Sequence, residues 1–242
     1  MLQLKKDMEL QFEKPKVKFT VKKILFTIVY ALLLQAVIVV LIGSVLGTNS
    51  TFMKTPAGKL IINFITAATF ILGVCVIYNP TKIYNELFKQ NLNIKVIFSG
   101  LKWGLTAFLA GWLTNWLTYT IYSLIAVNPE PQSASLLLNS LSNKLFVPAI
   151  ILVGFIAPLY EELVFRGLIQ RTISQYTSPL LGVIGSGFLF SISHFDLYQI
   201  PGLFVMSLCF SITYKRSKTL YTPIIAHMVN NVIFIACFVL IS

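Results

Sequence analysis

Long uninterrupted apolar runs constrain this chain more than any other feature of its sequence. Residues 24–47, 60–78, 103–127, 146–175, 180–194, 197–214 and 221–241 are dominated by Ile, Leu, Val, Phe, Ala and aromatic side chains. Runs near twenty apolar residues match the ~30 Å hydrocarbon core of a bilayer. A helix meets the backbone hydrogen-bonding demand of that medium within a single segment. The expected fold is therefore all-α, a polytopic transmembrane helix bundle of about seven spans. Composition agrees: 11% of the residues are charged, against roughly 25% in soluble domains.

The net charge of +11 could suggest a nucleic-acid partner, but the placement of the charges argues for topology instead. Seven lysines fall within the first 23 residues, and most of the others lie between apolar runs. Residues 1–23 read as a basic cytoplasmic tail near anionic headgroups. The run at 24–47 exceeds a signal-peptide core and is expected to be a retained span. Residues 24–144 form an amino-terminal group of helices, with an amphipathic interfacial segment at 80–102. Asn128-Pro129-Glu130-Pro131 ends the third span, and a polar connector leads to the remaining helices at 145–242. With the amino terminus inside, sixteen of the nineteen Lys and Arg fall on the cytoplasmic side, as the positive-inside rule requires. The three cysteines are isolated within apolar runs, with neither disulfide nor metal spacing.

Against this background Glu161, Glu162 and Arg166 stand out. Charges in hydrocarbon cost several kcal/mol unless they are paired or face a wet cavity. Glu162 and Arg166 are four apart on one helix face and can neutralise each other. Glu161 is turned about 100° away and has no basic residue at a matching offset. Both histidines of the chain also fall in apolar segments. His194 lies four after Phe190, and His227 lies four before Asn231, so imidazole and carboxamide share a face. A chain reversal at Thr177-Ser178 puts Glu161 and His194 sixteen residues to either side, at matched depth. A carboxylate with imidazoles can activate water, directly as a base or through a bound divalent metal. Asn231 can donate to an oxyanion or act as an oxygen ligand. Asn115, between two tryptophans, reads as an interhelical hydrogen-bonding residue. The site is expected within the membrane, on its cytoplasmic side.

Glu161-Glu162-x-x-x-Arg166, Phe190-x-x-x-His194 and His227-x-x-x-Asn231, in that order on separate helices, resemble the CPBP family of intramembrane proteases. That family includes CAAX prenyl endopeptidases and bacterial members linked to bacteriocin processing and immunity. The resemblance covers roughly residues 145–235. It implies hydrolysis of a peptide bond of a membrane-associated peptide or protein substrate by a chain of the bacterial plasma membrane. It also implies roles: Glu161 activates water, His194 is its partner, and Glu162 and Arg166 support the site. His227 and Asn231 serve as metal ligands or oxyanion donors. If a metal is bound, zinc is expected, with Glu161, His194, His227 and Asn231 as its ligands. Two other classes compete. One is a non-catalytic immunity or scaffold protein that binds a membrane partner. The other is a proton-coupled transporter, which would call for repeated halves with paired broken helices, whereas the charges here cluster in the second half.

Overall fold

The computed structural model describes residues 19–46, 52–89, 91–125 and 143–241. Most of the basic tail, the break at 128–131 and the connector after it lie outside the described residues. The described residues form helices and no strand. Helix α1, Val21–Leu46, is followed by α2, Pro56–Ile77, which opens on Thr55 capping the Gly58 N–H and on Pro56 in the first turn. Gly73 of α2 lets the helix lie against Thr27 and Tyr30 of α1. A short helix α3, Pro80–Leu87, is capped by Asn79, and the long α4, Ile94–Leu124, is capped by Asn93. The stretch at 80–102 therefore divides into α3 and the opening turns of α4.

Helix α5 is continuous but changes its winding. Its successive segments are Asn143–Ile151, Leu152–Ile156, Ala157–Glu162, Leu163–Gln170 and Arg171–Tyr176, and the second and fourth are π-wound. Pro158 has no N–H to give and its ring would crowd the carbonyl four residues back. The wide turns immediately before it take up that conflict, with the Ala157 N–H reaching Leu152 O. Pro158 is thus accommodated by a π-bulge, a known cause of bending.

Ser178 then caps α6, Pro179–Ile192, and α7, Ile200–Ser217, and α8, Tyr221–Ile241, complete the bundle. Among the described residues six helices are long and apolar enough to cross a membrane; α6 has 14 residues and spans about 21 Å. The seven expected apolar helices are all present, but the fifth is short. It stops at Ile192, so His194 lies in the turn after the helix, where Phe195 takes φ +52°. Gly182 sits against Ser174 and Gln170 of α5, and Gly187 against Phe204 of α7, the close approaches that the glycines of this segment predict. Gly100 and Gly104 of α4 meet α8, and Gly111 meets Met206 of α7.

The two ends of the bundle differ. Around the basic loops, Phe19, Tyr78, Leu87, Leu168, Tyr214 and Leu220 form a buried apolar cluster. Helix α3 is tied into this end: Leu220 N donates to Leu87 O at 2.8 Å, and Arg171 donates to the buried Glu86 carboxylate at 2.7 Å. Arg216 of α7 lies over the Trp103 ring of α4 at the same level. The opposite end holds the start of α2 and the turn between α6 and α7.

Candidate active site

Helix α5 presents its two carboxylates in different directions, as their 100° offset requires. Glu162 is fully buried, and its Oε1 accepts from Arg166 Nη1 at 2.9 Å. Arg166 is equally buried; its Nη2 donates to both the carbonyl and the hydroxyl of Ser207 on α7. Its guanidinium lies over the rings of Phe190 and Phe210. One fork thus joins α5 to α7 and neutralises a carboxylate that could not otherwise stay charged at this depth.

The same Glu162 Oε1 also accepts from His227 Nδ1 on α8 at 2.8 Å. A carboxylate can only accept, so Nδ1 carries the proton, and in the neutral imidazole Nε2 is left as the basic nitrogen. Nε2 faces Glu161 Oε2 at 3.7 Å. The His227 ring stacks on Phe210 with centroids 4.6 Å apart. Position, tautomer and tilt of this imidazole are therefore fixed from three sides. His194 is fixed by another route: its Nδ1 donates to Phe190 O at 2.9 Å, again leaving Nε2 basic. The Phe190 ring contacts both imidazoles, with centroids at 4.7 Å from His194 and 5.7 Å from His227.

These groups line one cavity of about 580 Å³ between α2, α4, α5, α7 and α8. Glu161, His194, His227 and Asn231 all contribute to its wall, whereas Glu162 and Arg166 lie behind it. Asn231 donates Nδ2 to Val153 O at 2.9 Å and accepts at Oδ1 from Asn230 at 3.0 Å. Each end of the carboxamide keeps one further hydrogen-bonding position.

The structure also adds residues that the sequence reading left out. Asn230 lines the cavity and orients Asn231; two adjacent asparagines in an apolar helix were a visible cue. Tyr160, in hydrogen-bonding reach of Glu161, stacks on Phe70 of α2. Ser207 gave no signal, since nothing in the sequence marks one serine of α7 over another.

The donor set can be tested against the implied metal. Two imidazoles with Nδ1 held by oxygen acceptors and Nε2 free show the outer-shell pattern of metal-binding histidines. With a carboxylate beside them, the donors suit zinc by type. As positioned here, no three His, Cys, Asp or Glu side chains among the described residues are grouped to hold an ion. His194, beyond the Phe190 ring, is the donor set apart from the Glu161–His227 pair.

A bundle of long apolar helices around a buried, charge-paired carboxylate, a second carboxylate and an imidazole defines the class: a polytopic helical membrane protein with a polar centre. Comparison with known proteins narrows it. Residues 143–233 match the family model described as type II CAAX prenyl endopeptidase Rce1-like. The chain is 28% identical over 181 residues to the membrane-embedded CAAX protease MroQ of Staphylococcus aureus, covering 72% of this chain and 70% of that protein. It is 25% identical over 131 residues to the candidate membrane peptidase YdiL of Bacillus subtilis, of which it spans about half (52%). No solved structure matches. The carboxy-terminal part of the chain is thus similar to the CAAX protease family, and both relatives are named as membrane peptidases.

Proposed function

We propose that the chain is an intramembrane endopeptidase that hydrolyses a peptide bond of a membrane-associated peptide or protein, with Glu161 as the residue that activates water. The observation that carries this reading is the Glu161–His227 pair, open to the cavity on one side and held on the other by Glu162 and Arg166. Glu161 removes a proton from water as the oxygen attacks the scissile carbonyl carbon. The protonated Glu161 then delivers that proton to the departing amide nitrogen as the C–N bond breaks, leaving an amine and a carboxylic acid, whose remaining proton passes to the amine or to water. His227, fixed in its tautomer by Glu162, keeps a basic nitrogen toward Glu161. The second Asn231 N–H is available to the oxygen on which charge develops.

The proposed cofactor is a divalent cation, zinc by donor type. The Glu161 carboxylate and His227 Nε2 would hold it, with His194 Nε2 and Asn231 Oδ1, which line the same cavity, completing the set only if they draw in toward that pair. Zinc bound there would supply Lewis-acid polarisation of water.

Glu161→Gln keeps shape and hydrogen bonding but removes the base. Cleavage of a reporter peptide by purified, correctly inserted protein is expected to fall by about 10²-fold or more. Wild-type activity in this variant would move the chain to the binding class. Chelation followed by zinc addition tests the cofactor separately: activity lost and then restored supports it, and full resistance to chelation removes it.

A further inference from the structure

The wall of the cavity is chemically two-sided. Glu161, His227 and Asn231 come from α5 and α8, whereas the part contributed by α4 and α7 is largely apolar, with Phe108, Trp112, Leu203, Met206 and Phe210. The two sides meet at Phe210, whose ring stacks on His227. Met206 is four residues before Phe210, so both share a face of α7, and Met206 packs on the apolar cluster that contains Phe210. The apolar wall thus begins one side chain away from the Glu161–His227 pair.

Met206 is seated in a notch of α4. Gly111 lines the cavity, and a Cβ there would lie 2.7 Å from the Met206 sulfur and closer still to its Cγ. The next neighbour, Gly202 O, would be at an ordinary 3.5 Å. The thioether therefore occupies room that exists only because residue 111 has no side chain. The fit is reciprocal: Asn115, one turn further along α4, fills the space that a side chain at Gly202 of α7 would need. Asn115 acts at this contact by packing, and its buried Oδ1 does not make the interhelical hydrogen bond expected of it. Two such interlocks, one turn apart, hold the register of α4 against α7 and fix where Met206 borders the cavity. Methionine is unbranched and adapts to its surroundings. With the α4 backbone on one side of it, the space open to Met206 is the cavity.

We propose that Met206, seated against Gly111, sets the size of the side chain that the cavity admits next to the bond to be cut. The substrate class that follows is a peptide with a bulky apolar residue at that position. Apolar pockets discriminate by about 10- to 200-fold per methylene, so small changes at Met206 should be readable. The cleavage rests on the endopeptidase reading, whereas the apolar subsite does not.

The test gives the purified full chain a mixture of synthetic peptides of random sequence and reads the residues flanking each cut bond by mass spectrometry. At one flanking position Leu, Met and Phe are expected at least tenfold above Ala and above charged residues. Met206→Ala should shift that position toward Phe and Trp by at least fivefold. Gly111→Ala, which drives Met206 into the cavity, should shift it toward Ala by a similar factor. The double variant should match Met206→Ala, because the methyl at 111 then has no sulfur to displace. Met206→Ala only removes atoms, so it carries the test if Gly111→Ala does not fold. A profile that is the same in wild type and Met206→Ala, or that shows no apolar preference, would overturn the proposal and leave the endopeptidase reading intact. Binding separates the two in the other direction. Fluorescein-labelled heptapeptides that differ only in a central Leu or Ala are titrated into Glu161→Gln protein, where the Leu peptide should bind at least fivefold more tightly. That preference without any cleavage by the wild type would overturn the endopeptidase reading alone; equal binding of the two peptides would overturn the subsite.

Discussion

At the scale of single residues, Glu162 holds the centre together. Its i, i+4 pairing with Arg166 is readable from spacing alone, and the structure forms it. Its hydrogen bond to His227 is not readable, because the rotation of α8 about its axis depends on packing that no local pattern encodes. The pair and the imidazole thus share one buried carboxylate oxygen. Arg166→Met leaves Glu162 charged and uncompensated in a site with no solvent access, which should cost about 3–5 kcal/mol of stability. Arg166→Met combined with Glu162→Gln removes both charges and keeps an acceptor for His227, so most of that loss should return. Chemical unfolding in detergent micelles reads the difference. A double variant no more stable than Arg166→Met alone would show that the pair is not what the fold depends on.

At the scale of elements, the site depends on how closely α4 approaches the helices that carry the chemistry. A side chain at Gly104 would place its Cβ 2.6 Å from Ala226 O and from Val229, one residue from His227 in the first case. Gly104→Ala should therefore destabilise the protein by about 1–3 kcal/mol and lower activity by shifting α8. Gly154→Ala is the matched control, since its nearest neighbour would be Val232 at an ordinary 3.5 Å. Thermal unfolding and peptide cleavage measured on both variants check this; equal effects would contradict it. The glycines of α6 announced their close contacts, and Pro158 announced a disturbance in α5. The π-winding that resolves that disturbance was not legible, because no residue type specifies it. Nor was the end of α6 at Ile192, since Ser193 and His194 follow it without a proline or glycine to stop the helix.

At the scale of the whole molecule, the bundle was legible because a bilayer admits few alternatives for runs of this length and composition. The convergence of Glu161, His194, His227 and Asn231 on one cavity was legible as well, through matched depth about the turn at Thr177-Ser178. One dimension of the fold has a consequence for the surrounding lipid. Helix α6, at about 21 Å, falls short of the ~30 Å hydrocarbon core, and the turn that follows exposes His194 and Phe195 at its tip. Lipid beside a short helix relieves the mismatch by thinning, which draws the headgroup region and its water down toward the Glu161 centre. Activity in proteoliposomes should accordingly rise in short-chain lipids and fall in long-chain ones, while unfolding stability changes little, and a rate indifferent to acyl length would exclude that coupling. If activity follows acyl length in this way, the membrane is part of the proposed site: the water for hydrolysis would arrive where the bilayer is made locally shallow by a helix too short to cross it.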